Sequence, residues 1–307
     1  MTISTVQAYL NGSWYTLTYN GGTGKYEGTL TAPGTTSYNL TDHVYAMQIK
    51  ATNTAGTTTT VDTTDATMGN SLKLAVKETV VPTINITSPS AGAYVTNSQQ
   101  AIIFQLRDES GGSGINLTTL SLKVDGGTAI GSGGSGMSCN SVTNGYDCTY
   151  TPPSALADGS HTITINVSDY DGNAATQASR TYTIDTVPPT LNVTNPADNF
   201  ITNNASLTVQ GSTNDSTSSP VTVTIKLNTV DQGTITVDGS GNFTKALTLA
   251  NGSNTIVVKT TDAAGKYTEI TLIGTLDTSI PLISSVSITP NPADTGATLT
   301  VSVTVTG

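Results

Sequence analysis

An all-β protein made of several sandwiches in tandem is predicted by three observations. Thr occupies 61 of 307 positions while only 10% of residues are charged, a mix that disfavours helices and suits pleated, half-buried strands. Period-two runs recur, as in Thr162-Ile-Thr-Ile-Asn-Val167 and Val221-Thr-Val-Thr-Ile225, which place apolar residues on one face and polar ones on the other. Between such runs stand tight-turn dipeptides: Asn11-Gly12, Asp125-Gly126, Asn144-Gly145, Asp158-Gly159, Asp238-Gly239 and Asn251-Gly252.

The elements repeat. Met47–Gly56, Ile163–Gly172 and Ile256–Gly265 each read as an alternating strand, then an acidic or amide residue, then a glycine turn. A second repeat marks joints at Glu78–Pro82, Asp185–Pro189 and Asp277–Pro281. Each joint leads into a short strand that ends at another proline: Ile84–Pro89, Leu191–Pro196 and Val286–Pro290. Proline fixes φ and lacks an N–H, so it ends a pairing and stiffens the joint. The joints begin at 78, 185 and 277, a spacing that fits immunoglobulin-like sandwiches of about 100 residues. Predicted domains are therefore 1–80, 81–186 and 187–278, with a partial domain at 279–307.

The first and third domains differ at their starts. Val6–Asn11 aligns with Val223–Asn228, and Gly24-Lys-Tyr26 with Gly241-Asn-Phe243. The third domain has two strands before that point, Leu191–Val193 and Leu207–Gln210; the first domain has only five residues. Residues 1–80 are thus expected to lack the first two strands of a sandwich, and 282–307 to supply two such strands, Val286–Ile288 and Leu299–Val305. Either this strand pair completes the first domain of a neighbouring copy by β-strand addition, or residues between Gly56 and Glu78 close that domain locally.

Charge and hydropathy exclude other classes. The net charge is −10 and the only arginines are Arg107 and Arg180, which speaks against a nucleic-acid partner. No apolar run approaches the roughly 18 residues of a membrane span. The start, Met1-Thr-Ile-Ser-Thr, has no basic or apolar signal-peptide region.

The joints, the strands that follow them and the acidic glycine turns resemble bacterial immunoglobulin-like repeats of surface adhesins and phage tail proteins. Asn11-Gly12-Ser-Trp14-Tyr15-Thr-Leu-Thr-Tyr19-Asn20 with Gly24-Lys25-Tyr26-Glu27 looks like Ig-like proteins among the tail and baseplate genes of Clostridia-type tailed phages. That resemblance implies a virion structural protein that spaces or decorates the tail or baseplate and weakly engages a host-surface glycan. Its partners would be other tail proteins or copies of itself. Assembly in the host cytoplasm and release by lysis would match the missing signal peptide. The alternative is a bacterial cell-surface adhesin or stalk.

Candidate chemistry is sparse. Cys139 and Cys148 flank a hairpin-like stretch that sets them opposite each other, so a cross-strand disulfide is geometrically possible. In an Ig-like sandwich two loops lie at the end where the chain enters. Glu78, Asp108, Asp169 and Asp171 are expected to converge at the first joint, and Asp185, Asp215 and Asp262 at the second. Calcium takes six to eight oxygens, and the resemblance to adhesin repeats implies a calcium-stiffened joint; turn capping by Asp is the plainer reading. Trp14, Tyr15, Tyr19 and Tyr26 could form a sugar-stacking patch or simply pack across strands. Gly131–Gly136 matches a dinucleotide-binding fingerprint without the strand–helix context it needs. His43 and His161 stand at strand entries with no Ser or Cys nucleophile beside them, so no enzyme activity is expected.

Overall fold

In the computed structural model, which describes residues 2–307, the chain divides into two compact units, one ending at Ile184 and one running from Asp185 to Gly307. The strands follow the period-two runs. The first unit opens with β1 (Ile3–Leu10), β2 (Ser13–Asn20) and β3 (Lys25–Glu27), followed by β4 (Tyr45–Ala46), β5 (Gln48–Asn53), β6 (Thr58–Val61) and β7 (Lys73–Leu74). Five of these form one sheet in the order β3-β2-β1-β5-β6. Asn11 and Gly12, both at positive φ, make the tight turn between β1 and β2.

The alternation of β1 buries Val6, Ala8 and Leu10 on one face. Among the described residues of this segment, the strands outside that sheet are only the short pair β4 and β7. Tyr45 on β4 and Leu72 just before β7 are buried, and Ser37 N–H donates to the Val76 carbonyl at 2.8 Å. A sheet equivalent to the second layer of a sandwich is replaced here by these irregular segments. Tyr15 and Tyr19 on β2 stay exposed.

Residues 83–184 form a complete sandwich. One sheet runs β12 (Met137–Val142), β13 (Gly145–Tyr150), β10 (Ile102–Arg107), β8 (Thr83–Ser88); the other runs β11 (Ile115–Val124), β14 (Gly159–Asp169), β15 (Ala178–Ile184), β9 (Tyr94–Val95). Alternation sends Ile102, Phe104 and Leu106 inward from the first sheet, and Ile163, Ile165, Tyr182 and Ile184 inward from the second; all seven are fully buried in one core. Arg180 ties the layers by donating to the Ile86 carbonyl at 2.7 Å.

The second unit repeats the plan. β16 (Thr190–Asn195), β18 (Ser206–Asn214) and β21 (Asn242–Thr248) form one sheet. β17 (Phe200–Thr202), β23 (Tyr267–Leu276), β22 (Gly252–Thr261), β19 (Thr222–Leu227) and β20 (Val230–Ile235) form the other. Val209, Val223, Ile225, Ile256 and Val258 are fully buried between them. The last two strands, β24 (Leu282–Thr289) and β25 (Thr300–Thr306), pair only with each other. Their register stacks Ile283 with Val305, Val286 with Val303 and Ile288 with Val301 on one face, and all six are exposed.

Two predictions follow from these cores. Phe104→Ala removes a ring that is 0% exposed and should cost about 3–5 kcal/mol. Ile103→Ala, at 41% exposed, should change stability by less than about 0.5 kcal/mol. Urea denaturation followed by circular dichroism separates the two.

His161 gives a pH signature. Its Nδ1 lies 2.7 Å from an Asp125 carboxylate oxygen and its Nε2 2.8 Å from the Ala157 carbonyl, so a protonated ring donates from both nitrogens. Burial opposes the charge, yet the Ala157 carbonyl and Asp125 together hold the His161 pKa above its ordinary value. The stabilisation is thus fully present below the ordinary histidine pKa of about 6.5 and is lost as pH rises through the higher folded value. Unfolding midpoints measured from pH 6 upward should fall in the wild type and flatten in His161→Gln.

Candidate functional site

The strongest concentration of chemistry lies in two acidic clusters built from equivalent loops. In the first, β8 is preceded by Glu78, β10 is followed by Asp108, and β14 ends at Asp169. One carboxylate oxygen from each of the three lies within 4.8 Å of the others. In the second, Asp185 precedes β16, Asp215 follows β18 and Asp262 follows β22, again with three oxygens within 4.8 Å of one another. Each set thus draws on the entering chain, the loop after the second long strand and the turn after the penultimate long strand.

Local backbone chemistry positions these groups. Asp169 N–H donates to the Asn173 carbonyl at 3.1 Å, while the Asp169 carboxylate accepts from Asn173 N–H at 2.8 Å. Asp262 closes the same turn with Lys266, at 3.0 Å and 2.8 Å. Asn53 closes it in the first segment with Thr57, but with an amide in place of a carboxylate. Asp215 accepts from the N–H groups of Thr217 and Ser218 at 2.7 and 2.9 Å, and Ser218 in turn donates its hydroxyl to Asp185.

Asp171 departs from the sequence expectation. It sits at the tip of its turn, where its carboxylate accepts from the Thr36 hydroxyl at 2.5 Å and from Glu78 N–H at 3.0 Å, so it stands outside the three-oxygen set. Glu109, which the sequence reading passed over, comes close instead. Its carboxyl faces that of Glu78, and hydrogen bonding between the two, then burial and Asp108, push the Glu109 pKa up to about 8. Gly112 explains the crowding: a Cβ there would come 2.7 Å from Glu78 Oε2, 2.8 Å from Asp108 Oδ2 and 2.9 Å from Glu109 Cδ. The loop with two adjacent acids before Ser-Gly-Gly was the available signal.

The charge in these clusters is uncompensated. Among the described residues, no lysine or arginine forms an ion pair with either set; Arg107, next to Asp108 in sequence, pairs with Asp147 instead. Two unit charges 4.8 Å apart repel by about 3.5 kcal/mol at an effective dielectric near 20. Two aspartate oxygens are also orphaned: Asp108 Oδ1 and Asp262 Oδ2 are buried with no hydrogen-bond partner.

The first cluster lies beside a contact between the following sandwich and non-strand segments of the N-terminal region, residues 36–39 and Lys77. Besides the Thr36–Asp171 bond, Asn39 donates to the Gly112 carbonyl at 2.7 Å, and the Tyr38 and Tyr170 rings stack with centroids 4.7 Å apart. Lys77 Nζ donates to the Asp171 carbonyl at 3.1 Å.

Other expected groups fall as follows. Cys139 and Cys148 are directly opposed in the β12–β13 ladder, with Cα atoms 4.1 Å apart, and form a disulfide. The four aromatics do not share one face. Tyr15 and Tyr19 alternate with Trp14 along β2, and the β2–β3 register puts Tyr26 opposite Tyr19. Trp14 instead packs against Tyr9 on the other face and lies under Lys50 Nζ, 4.2 Å from the ring centroid. The period of two makes a joint Trp–Tyr platform impossible on one strand.

Two family models match parts of the chain. Residues 108–186 match the bacterial Ig-like domain family, and residues 189–278 match the family of glucodextranase domain B. Bacillopeptidase F of Bacillus subtilis (strain 168) is 30% identical over 138 residues, 45% of this chain and 9% of that protein. The chain thus spans less than a tenth of that relative's length. Among solved structures, the fibronectin(III)-like modules of Clostridium thermocellum CbhA align at 17% identity, over 63% of this chain and 94% of that one, with a TM-score of 0.39. An I-band fragment of titin aligns at 12% identity, over 89% and 87% of the chains, with a TM-score of 0.44. The chain is an immunoglobulin-like repeat protein of the all-β class.

Gly112→Ala should destabilise the 83–184 sandwich by about 1–3 kcal/mol through overpacking against three acidic side chains. Gly133→Ala, whose Cβ would meet nothing within 4 Å, should be near neutral. Thermal unfolding of the two variants provides the comparison.

Proposed function

We propose that the chain is a non-catalytic structural module, a spacer and contact element of a tailed-phage tail or baseplate. The observation that carries this reading is the repetition of sandwiches whose side-chain investment goes into closed cores and loop-end clusters. The resemblance of Asn11–Asn20 and Gly24–Glu27 to tail-associated Ig-like proteins supports placing it on a virion. Both matched families are named as domains, one of them as a lettered domain of a larger glucodextranase, which supports an accessory role. The Cys139–Cys148 disulfide supports a final location in an oxidising environment, outside the cell.

Two surfaces suit contact-making. The apolar face of β24 and β25 is a ready partner for strand addition, to another tail protein or to a second copy. Tyr15 and Tyr19 present exposed rings on the face they share with Tyr26, a platform suited to weak stacking on a host-surface glycan.

A second reading, a module of a bacterial cell-surface protein, is favoured by the 138-residue similarity to Bacillopeptidase F. Gold-labelled antibody to the chain separates the two. The tail reading expects label at the tail of purified particles under electron microscopy. Label confined to cell envelopes, with particles bare, would exclude it and leave the cell-surface reading standing.

A further inference from the structure

We propose that the β24–β25 pair of one copy covers the open inner face of the first sheet in a second copy, with β25 adding to the free edge of β3. The inference rests on the strand-addition surface of the preceding section and names its occupant; it does not depend on a location in a virion.

The receiving face is the uncovered part of a core. Directly paired residues share a face of a sheet, and Leu17 is paired with Val6, Tyr15 with Ala8 and Tyr26 with Tyr19. Tyr15, Leu17, Tyr19 and Tyr26 therefore extend the face on which Val6 and Ala8 are buried. Yet Tyr15 and Tyr19 are exposed, and Leu17 and Tyr26 are only half-buried. β3 stands at the end of its sheet, so one side of its backbone is unpaired, and residues 28–33 beyond it form no strand.

The second unit shows what covers an equivalent face. There Ile235 stands opposite Val223 as Leu17 stands opposite Val6, and Phe243 aligns with Tyr26. Ile235 and Phe243 are buried, in one core with Val209 and Leu247. That core is closed by β18, which pairs with β16 on one side and β21 on the other. The β16–β18 stretch recurs in β24–β25: Asn195-Pro-Ala-Asp198 as Asn291-Pro-Ala-Asp294, and Ala205-Ser-Leu-Thr-Val209 as Ala297-Thr-Leu-Thr-Val301. In the later stretch Leu299, Val301 and Val303 are exposed, and one edge of β25 has no partner strand. Neither β24 nor β25 carries a charged residue, so the contact buries none of their charge.

Both sandwiches specify the same register for this contact. Ile102, Phe104 and Leu106 pair with Tyr150, Cys148 and Tyr146 in one; Leu207, Val209 and Gly211 pair with Leu247, Lys245 and Phe243 in the other. The corresponding positions put Leu299 opposite Leu30, Val301 opposite Gly28 and Val303 opposite Tyr26 of the other copy. The fully buried Leu106 opposite Tyr146 shows that a branched side chain fits beside a tyrosine at the last of these. Because the two surfaces are unlike, each copy offers one of each, and the product is a reciprocal dimer or a longer head-to-tail series.

The whole chain has no free cysteine, which permits disulfide trapping. Leu30→Cys and Leu299→Cys, made as separate chains, mixed and mildly oxidised, should link position 30 of one copy to position 299 of the other, as read by mass spectrometry. The yield should exceed by roughly tenfold that of Leu30→Cys mixed with Val305→Cys, whose thiol lies about 20 Å farther along the strand. Sedimentation velocity of the wild type should show mass rising with concentration between about 1 and about 100 µM. Val303→Asp should raise the dissociation constant about 100-fold by placing a carboxylate in an apolar contact, and Leu30→Asp should do the same from the receiving side. A wild type monomeric throughout that range, mixed cysteine variants that link no better than the control pair, or association that survives both aspartates would each overturn the proposal. If Val303→Asp disrupts its hairpin, Leu30→Asp on the other surface and the cysteine pairs still decide. Particles bare of antibody leave this contact standing, and a monomeric chain leaves tail labelling standing, so the two readings fail separately.

Discussion

The burial of one face of each strand is the constraint on which the rest of this protein depends. Ile102, Phe104 and Leu106 on one sheet can leave water only against Ile163, Ile165 and Tyr182 on the other, and that closure sets the register of every strand between Thr83 and Ile184. A slip of one residue would turn the whole apolar set outward. The same closure in the second unit, around Val209, Ile225 and Ile256, fixes β18, β19 and β22. With the sheets locked, the loops at their ends have little freedom, and groups carried on them are held at fixed separations.

Those loop ends are where the molecule departs from simple packing. A sandwich can bury its faces without gathering charge, yet each of the two here holds three carboxylates together at the same end. Capping accounts for one oxygen of Asp262 and one of Asp108, and leaves the other buried and bare. Gly112, with no room for a Cβ, shows that the backbone of the first cluster is drawn in as closely as its side chains permit. In the first unit the loop also holds Asn39 and, beside it, Tyr170 holds Tyr38, so the end of the sandwich is at once a charged site and a contact surface.

The opposite departure is apolar surface without cover. The first sheet buries Val6, Ala8 and Leu10 and leaves Tyr15 and Tyr19 in solvent, while β24 and β25 expose every apolar side chain they carry. Contiguous exposed apolar patches of this kind are uncommon on the surfaces of monomeric proteins.

Sequence alone determined the strand class, the tandem plan and the direct opposition of Cys139 and Cys148, because a period of two and a tight turn are local properties readable within a few residues. It also placed six of the clustered acids, since the entering chain and two loops share one end of such a sandwich. Only the tertiary structure decided which neighbouring acid faces inward. Asp169 closes its turn on Asn173 and points into the cluster, whereas Asp171, two residues on, is captured by Thr36 from a segment 135 residues away in the chain. Glu109 entered the site because the Gly112 loop folds it against Glu78, and Trp14 left the tyrosines because successive side chains on a strand face opposite ways. Each of these outcomes rests on contacts between residues far apart in sequence or on the side of a sheet that becomes buried, which no local pattern encodes.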